Sequence, residues 1–247
     1  MKKVLNKSKF EWLIRSVVAN ITIFALVFIV VIASLSKKNE VVSVSNSEYN
    51  GTIYAGDKAQ KNISLMINVY WGNEFLIEIL DIFKENNIKT TFFIGGMWAK
   101  ENKELLQRIY DEGHEIASHG YSHKEHGKYG YGVNYEEISK THKVIKEILG
   151  IDMNLFAPPG GSYNSSTVSA AKNLGYKTIM WTRDTIDWRD KNASLIYSRT
   201  ITNLQGGDLI LMHPTRCTVD AIKMLLPYFE KIGYKITIVS NVLWLNC

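Results

Sequence analysis

A chain of 247 residues that is 46% hydrophobic and 21% charged carries enough apolar side chains for one sizeable packed domain plus an appendage, which excludes wholesale disorder. Its formal net charge of +5 invites a nucleic-acid partner, but Lys2, Lys3, Lys7, Lys9 and Arg15 against Glu11 supply most of that excess. The rest is close to neutral, so the basic excess is a topology signal and nucleic acid is excluded.

Residues 1–16 read as a cytoplasmic basic segment. Residues 17–35 hold no charge and are mostly Val, Ile, Leu, Phe and Ala, long enough to cross a bilayer. The preceding lysines place the N-terminus in the cytoplasm and the rest outside, as a single-pass anchor in the cell membrane. A cleaved signal peptide, with Val31 and Ala33 as its small-residue site, is the rival reading; the length of the apolar run favours an uncleaved anchor. Residues 36–62, rich in Ser, Asn, Lys and Gly without a sustained period, read as an extracellular linker. The domain is 63–247. Cys217 and Cys247, the only cysteines, lack metal-type spacing; an oxidising exterior leaves a disulfide between them open, and two free thiols is the default reading.

Within the domain, short apolar runs alternate with amphipathic stretches. Strands are predicted at 63–69, 90–94, 115–118, 178–182, 209–212 and 235–239. Helices are predicted at 74–86, 100–111, 135–149, 165–173, 193–203 and 219–231. The first helix shows the pattern well, with Phe75, Ile79, Ile82 and Phe83 on one face and Glu78, Asp81 and Glu85 on the other. Repeated alternation implies a parallel α/β sheet covered by helices, and periodicity alone does not choose between an open sheet and a barrel.

Polar residues at strand ends mark the site. His119 and His123 flank Gly-Tyr-Ser just past a predicted strand, a spacing that suits a zinc half-site and equally suits two loop or core histidines. Asp184 and Asp187, followed by Trp188, end another run; a helix cap and a surface charge are the plain alternative. His213 follows the strand 209–212 and precedes Pro214. In parallel α/β folds such ends build binding sites.

Taken with the Phe-Ala-Pro-Pro-Gly-Gly turn at 156–161, these motifs resemble the polysaccharide deacetylase family, carbohydrate esterase family four, also called the NodB-homology domain. The resemblance covers 63 to about 242. The Gly-Tyr-Lys-Ile-Thr-Ile-Val-Ser run at 233–240 is similar to the last strand of its sporulation-associated members. The resemblance implies an irregular (β/α) barrel of the NodB-homology type, behind one transmembrane helix, and metal-dependent hydrolysis of N-acetyl groups on peptidoglycan or a related cell-envelope glycan. By position, the resemblance implies that His119 and His123 ligate a divalent ion, with zinc the expected one; His213 would be the general acid, and Asp187 or Asp184 the carboxylate that tunes it.

The first motif departs from the family's usual Thr-Phe-Asp-Asp-Gly. Asn68 stands at the position of the general base and Val69 at that of the third metal ligand, and Ala157 replaces the arginine that orients the base. An amide takes no proton at neutral pH, and an isopropyl group binds no ion. Glu74, His126 or the Asn68 oxygen are the candidate replacements as third ligand. Trp71, Tyr121, Pro159 and Trp188 are candidate glycan contacts, with Tyr70 and Trp181 nearby, although core packing is the commoner use of such rings. The expectation is a deacetylase of weak or atypical activity; the alternative is an inactive glycan-binding or envelope-assembly protein on the same fold.

Overall fold

In the computed structural model of the chain, residues 51–243 and Asn20 are described. Apart from Asn20, the basic segment, the anchor at 17–35 and residues 36–50 of the linker lie outside the described residues, as does Cys247. Among the described residues no helix is long and apolar enough to cross a membrane.

The strands are β1 (Thr52–Ile53), β2 (Asn62–Val69), β3 (Thr91–Ile94), β4 (Glu115–Ser118), β5 (Leu155–Phe156), β6 (Lys177–Ile179), β7 (Arg183–Asp184), β8 (Leu209–Met212) and β9 (Lys235–Ile236). They pair in the order β1-β6-β5-β4-β3-β2-β8-β7, with β9 beside the start of β2, and the pairing is parallel throughout. Parallel neighbours need crossovers, and helices supply them: α1 (Asn73–Glu85), α2 (Gly96–Glu101), α3 (Lys103–Asp111), α4 (Tyr131–Leu149), α5 (Ser165–Asn173), α6 (Asp187–Asp190), α7 (Ala193–Ile201), α8 (Arg216–Ile232) and α9 (Val239–Val242).

The sheet curls because the chain ties its edges together. β6 lies beside the β1 edge and β7 forms the other edge, yet only residues 180–182 separate them. That connection reaches about 14 Å at full extension. On the way Met180 N donates to Ile53 O (2.8 Å) in the edge strand β1 and Thr182 N to Leu209 O (2.9 Å) in β8, so one short segment is bonded to both ends of the sheet. The result is a curled half-barrel, the irregular barrel architecture expected from the sequence.

Two apolar layers follow from strand alternation. Ile63, Leu65, Ile67 and Val69 of β2 pack outward beneath the helices with Leu76, Ile79 and Phe83 of α1. Met66 faces inward with Phe93, Ala117, Leu155, Ala157 and Leu209. Val239 and Val242 of α9 join this inner cluster, and Asp57 N donates to Val242 O (3.2 Å) ahead of β2. The helix therefore closes the end where the strands begin and leaves the other end as the mouth.

Four differences from the sequence reading bear on the architecture. The helix expected at 100–111 is two helices, α2 and α3, broken at Asn102 (φ −125°), whose amide donates to Trp98 O (2.8 Å) and offers the backbone a local alternative to helix. The strand expected at 178–182 ends at Ile179 and resumes at Arg183, on the opposite edge. Only Lys235–Ile236 of the strand at 235–239 pairs, because Val239 opens α9. The linker does not run to residue 62: Thr52–Ile53 is β1, a two-residue strand with too little length for a period to be read.

Candidate functional site

The mouth gathers the strand ends. Registers Ile67↔Met212, Ile94↔Ser118, Ser118↔Phe156 and Asp184↔Leu211 bring the residues just beyond them, including Asn68, His119, Ala157 and His213, to one end of the barrel.

His119 leaves β4 with its N–H on Ile94 O (2.9 Å), and it is 1% exposed. Its Nδ1–H donates to Ala157 O (2.8 Å), which fixes the tautomer and leaves Nε2 with a free lone pair. The turn then bends through two left-handed residues, Gly120 (φ 72°) and His123 (φ 56°). At Gly120 a Cβ would sit 2.8 Å from the buried His126 Nε2, so side chains are excluded there. The His119 and His123 ring centroids lie 5.2 Å apart. Burial holds the His119 pKa well below the usual imidazole value, reinforced by the neighbouring imidazoles of His123 and His213. Burial, then His213, lowers His123 as well. Both rings are neutral at neutral pH.

Glu137 of α4 braces this turn. Its carboxylate is nearly buried and accepts from Tyr121 N (3.0 Å), Ser122 N (2.7 Å) and Ser122 Oγ (2.7 Å), with Lys124 Nζ at 3.1 Å. Burial pushes its pKa up, and the bonds from Ser122 and Lys124 outweigh that and hold the group low. The sequence carried a signal for it: a carboxylate on the buried stripe of α4, shared with Ile138, Thr141 and Ile145.

On the opposite flank His213 and Asp187 form a completed pair. Asp187 is fully buried; its Oδ1 accepts from His213 Nδ1 (2.8 Å) and Trp188 N (2.9 Å), and its Oδ2 from His213 N (2.6 Å) and Thr218 Oγ1 (2.7 Å). The structure thus singles out Asp187 over Asp184 as the partner of His213. Asp184 Oδ1 instead accepts from Ile186 N (2.8 Å), holding a β-branched residue in the left-handed region (φ 53°) immediately before Asp187. Burial raises the Asp184 pKa, against the Ile186 bond and His213, which pull it down.

The expected glycan contacts divide. Trp71, 43% exposed, stacks on His213 with rings 6.1 Å apart and 3° from parallel. Trp188, 53% exposed, adjoins Asp187. Pro159 is buried beside Gly120. Tyr121 turns its ring toward Gly96 and Thr141, with Lys140 Nζ 5.8 Å above it, on the outer side of the histidine turn. Tyr70 is the ring that meets His123, at 4.7 Å.

The donor set for a metal is incomplete. Two neutral imidazoles suit a cation, but Val69 is fully buried in the outer apolar layer and Asn68, 4% exposed, offers an amide. Glu74 sits exposed in the first turn of α1, and among the described residues no group of three or more His, Cys, Asp or Glu side chains is arranged to hold a metal. Glu74 as third ligand is therefore corrected. An acidic residue one position past a helix start faces solvent here, where the helix macrodipole favours it.

Comparison with known proteins agrees with this geometry. The polysaccharide deacetylase family model matches residues 55–179. The chain is 35% identical over 191 residues to the uncharacterized protein YlxY of Bacillus subtilis, covering 77% of this chain and 60% of that protein. It is 30% identical over 165 residues to a peptidoglycan-N-acetylglucosamine deacetylase of Bacillus cereus, covering 65% and 60%. It thus spans about three fifths of the length of both. Among solved structures it resembles a CE4 family pseudoenzyme from Bacillus anthracis, with a TM-score of 0.75 and 34% identity over 81% of this chain and 70% of that one; a mutant of that pseudoenzyme described as having restored enzymatic activity matches equally well, with a TM-score of 0.75. With the barrel, the strand-end histidines and the altered first motif all in place, this chain belongs to the polysaccharide deacetylase family.

Proposed function

We propose that this protein, anchored in the cell membrane by residues 17–35 with its barrel outside, binds N-acetylated peptidoglycan or a related envelope glycan at the barrel mouth and releases no acetate from it. One observation carries the reading: Asn68 and Val69 occupy the positions of the base and the third metal ligand, and among the described residues no group of three or more His, Cys, Asp or Glu side chains is arranged to hold a metal ion. Loss of a general base alone costs roughly 10² to 10⁴ in rate. The mouth keeps what recognition needs: Trp71 and Trp188 present exposed faces for sugar rings beside His213, and Glu137 holds the histidine turn in place.

The His213–Asp187 pair favours a second reading, residual hydrolysis. In such a reaction His213 Nε2 would hand a proton to the leaving amine while Asp187 fixes the ring; a divalent ion, where bound, would polarise the amide carbonyl. Acetate release from chitooligosaccharides and peptidoglycan, assayed with added zinc and with chelator, separates the two when run beside a glycan pull-down. Retention of glycan without acetate under either condition is the expected result. Zinc-dependent acetate release that disappears in His213→Ala would replace the first reading by the second.

A further inference from the structure

Asn68 is buried, and its Oδ1 has no hydrogen-bond partner. Buried amide oxygens are rarely left so, and each such atom asks for an explanation. Strand alternation gives its direction. Met66, two residues earlier on the same face, belongs to the inner cluster, whereas Ile67 and Val69 belong to the outer one. Asn68 therefore points into the barrel at its open end, opposite Phe93 of β3 and one residue beyond the register that ends at Met212, next to His213.

The surrounding chemistry defines what fits. Asn68 Oδ1 only accepts, and His119 Nε2 only accepts because its Nδ1–H is used on Ala157 O. A partner must bring an N–H or O–H. The neighbouring walls, Phe93 and Ala157, are apolar and fully buried, so a charged group beside them would lose its hydration. An acetamido group meets both demands: a neutral N–H donor with a small methyl beside it.

We infer that Asn68 is the specificity-determining residue of the mouth, its Oδ1 accepting the amide N–H of a sugar N-acetyl group. The position that usually carries a base instead reads the acetamide. This rests on the glycan-binding reading above and goes further by naming the atom that selects the ligand.

The test is a competition titration on the full chain in detergent micelles, comparing N-acetylated chitooligosaccharide with an analogue bearing 2-O-acetyl groups, which keeps the carbonyl and methyl but lacks the N–H. The wild type should prefer the amide by roughly tenfold or more. Asn68→Leu should lose the preference. Equal binding of both ligands by the wild type, or an undiminished preference in a folded Asn68→Leu, overturns the inference while leaving glycan binding intact. Binding that depends on added zinc and ignores the N–H assigns these lone pairs to a cation and overturns it too. Failure of the wild type to bind either ligand removes the glycan reading, and this inference with it.

Discussion

The two flanks of the mouth differ in how completely their polar groups are paired. On the β7–β8 flank every oxygen of Asp187 is engaged, by His213, Trp188 and Thr218. On the β2–β4 flank Asn68 Oδ1 has no partner, and Val69 turns its methyl groups away into the outer apolar layer. A paired flank fixes geometry whether or not a ligand is present; an unpaired one stores binding potential. The substitutions that separate this chain from its family's usual motif, Asn68 and Val69 at the end of β2 and Ala157 just beyond β5, all lie away from the first flank, so the retained order of the first is not by itself a sign of catalysis.

Removing the centre of the paired flank should have the largest effect. Asp187→Ala leaves His213 and Thr218 without their buried acceptor and should lower unfolding free energy by about 3 to 5 kcal/mol, read from urea midpoints. A loss below about 1 kcal/mol would break the comparison.

Acid should act on the unpaired flank. Burial lowers the His126 pKa to about 4, despite Glu137, which raises it. The unfolded chain, with an ordinary imidazole near 6.5, takes up the proton first. Stability contributed by neutral His126 is therefore complete above about pH 6.5 and declines as pH falls toward 4, by up to about 3 kcal/mol. His114, buried near Phe92 and also lowered to about 4, adds a similar slope from outside the site. Urea unfolding across pH 4 to 7 measures both, and His126→Leu should remove only its own share. A wild-type profile that is flat over this range contradicts neutral burial.

Glu137→Ala should cost about 2 kcal/mol, since hydrogen bonds to a carboxylate contribute more than neutral ones. Amide exchange at Tyr121 and Ser122 should accelerate with it. Unchanged exchange at those two amides would show that the histidine turn stands without its brace.

The smallest expected effect has the opposite sign. Asn68→Leu removes a buried acceptor that has no partner and should raise stability by about 1 kcal/mol while weakening glycan binding. Such an exchange of stability for function is typical of binding sites. A destabilised variant would mean that Asn68 is already satisfied within the protein.

Much of this architecture was legible in the sequence where elements are long or bounded sharply. β4, β8 and α5 fall where the apolar periods place them, and β2 and α1 lie within one residue of expectation. β1, β5 and β7 were not legible, because each has two residues and exists only through its neighbours' hydrogen bonds. The same limit governed the site. His119, His123 and His213 announced themselves at strand ends, but nothing in linear spacing tells that Asp184 serves Ile186 while Asp187 serves His213. Glu137 escaped because its partners lie on another segment, and Tyr121 faces outward because its backbone, not its ring, is what Glu137 holds. The segments before residue 51 enter only through the sequence.

The central claim is that the mouth recognises N-acetylated glycan without hydrolysing it. The most direct test is a single proton NMR series on a chitooligosaccharide incubated with the full chain and zinc, observing the N-acetyl methyl resonance. Saturation transfer to that methyl, with no free acetate signal growing over days, is the predicted result. A growing acetate signal, or a methyl that receives no saturation, would contradict it.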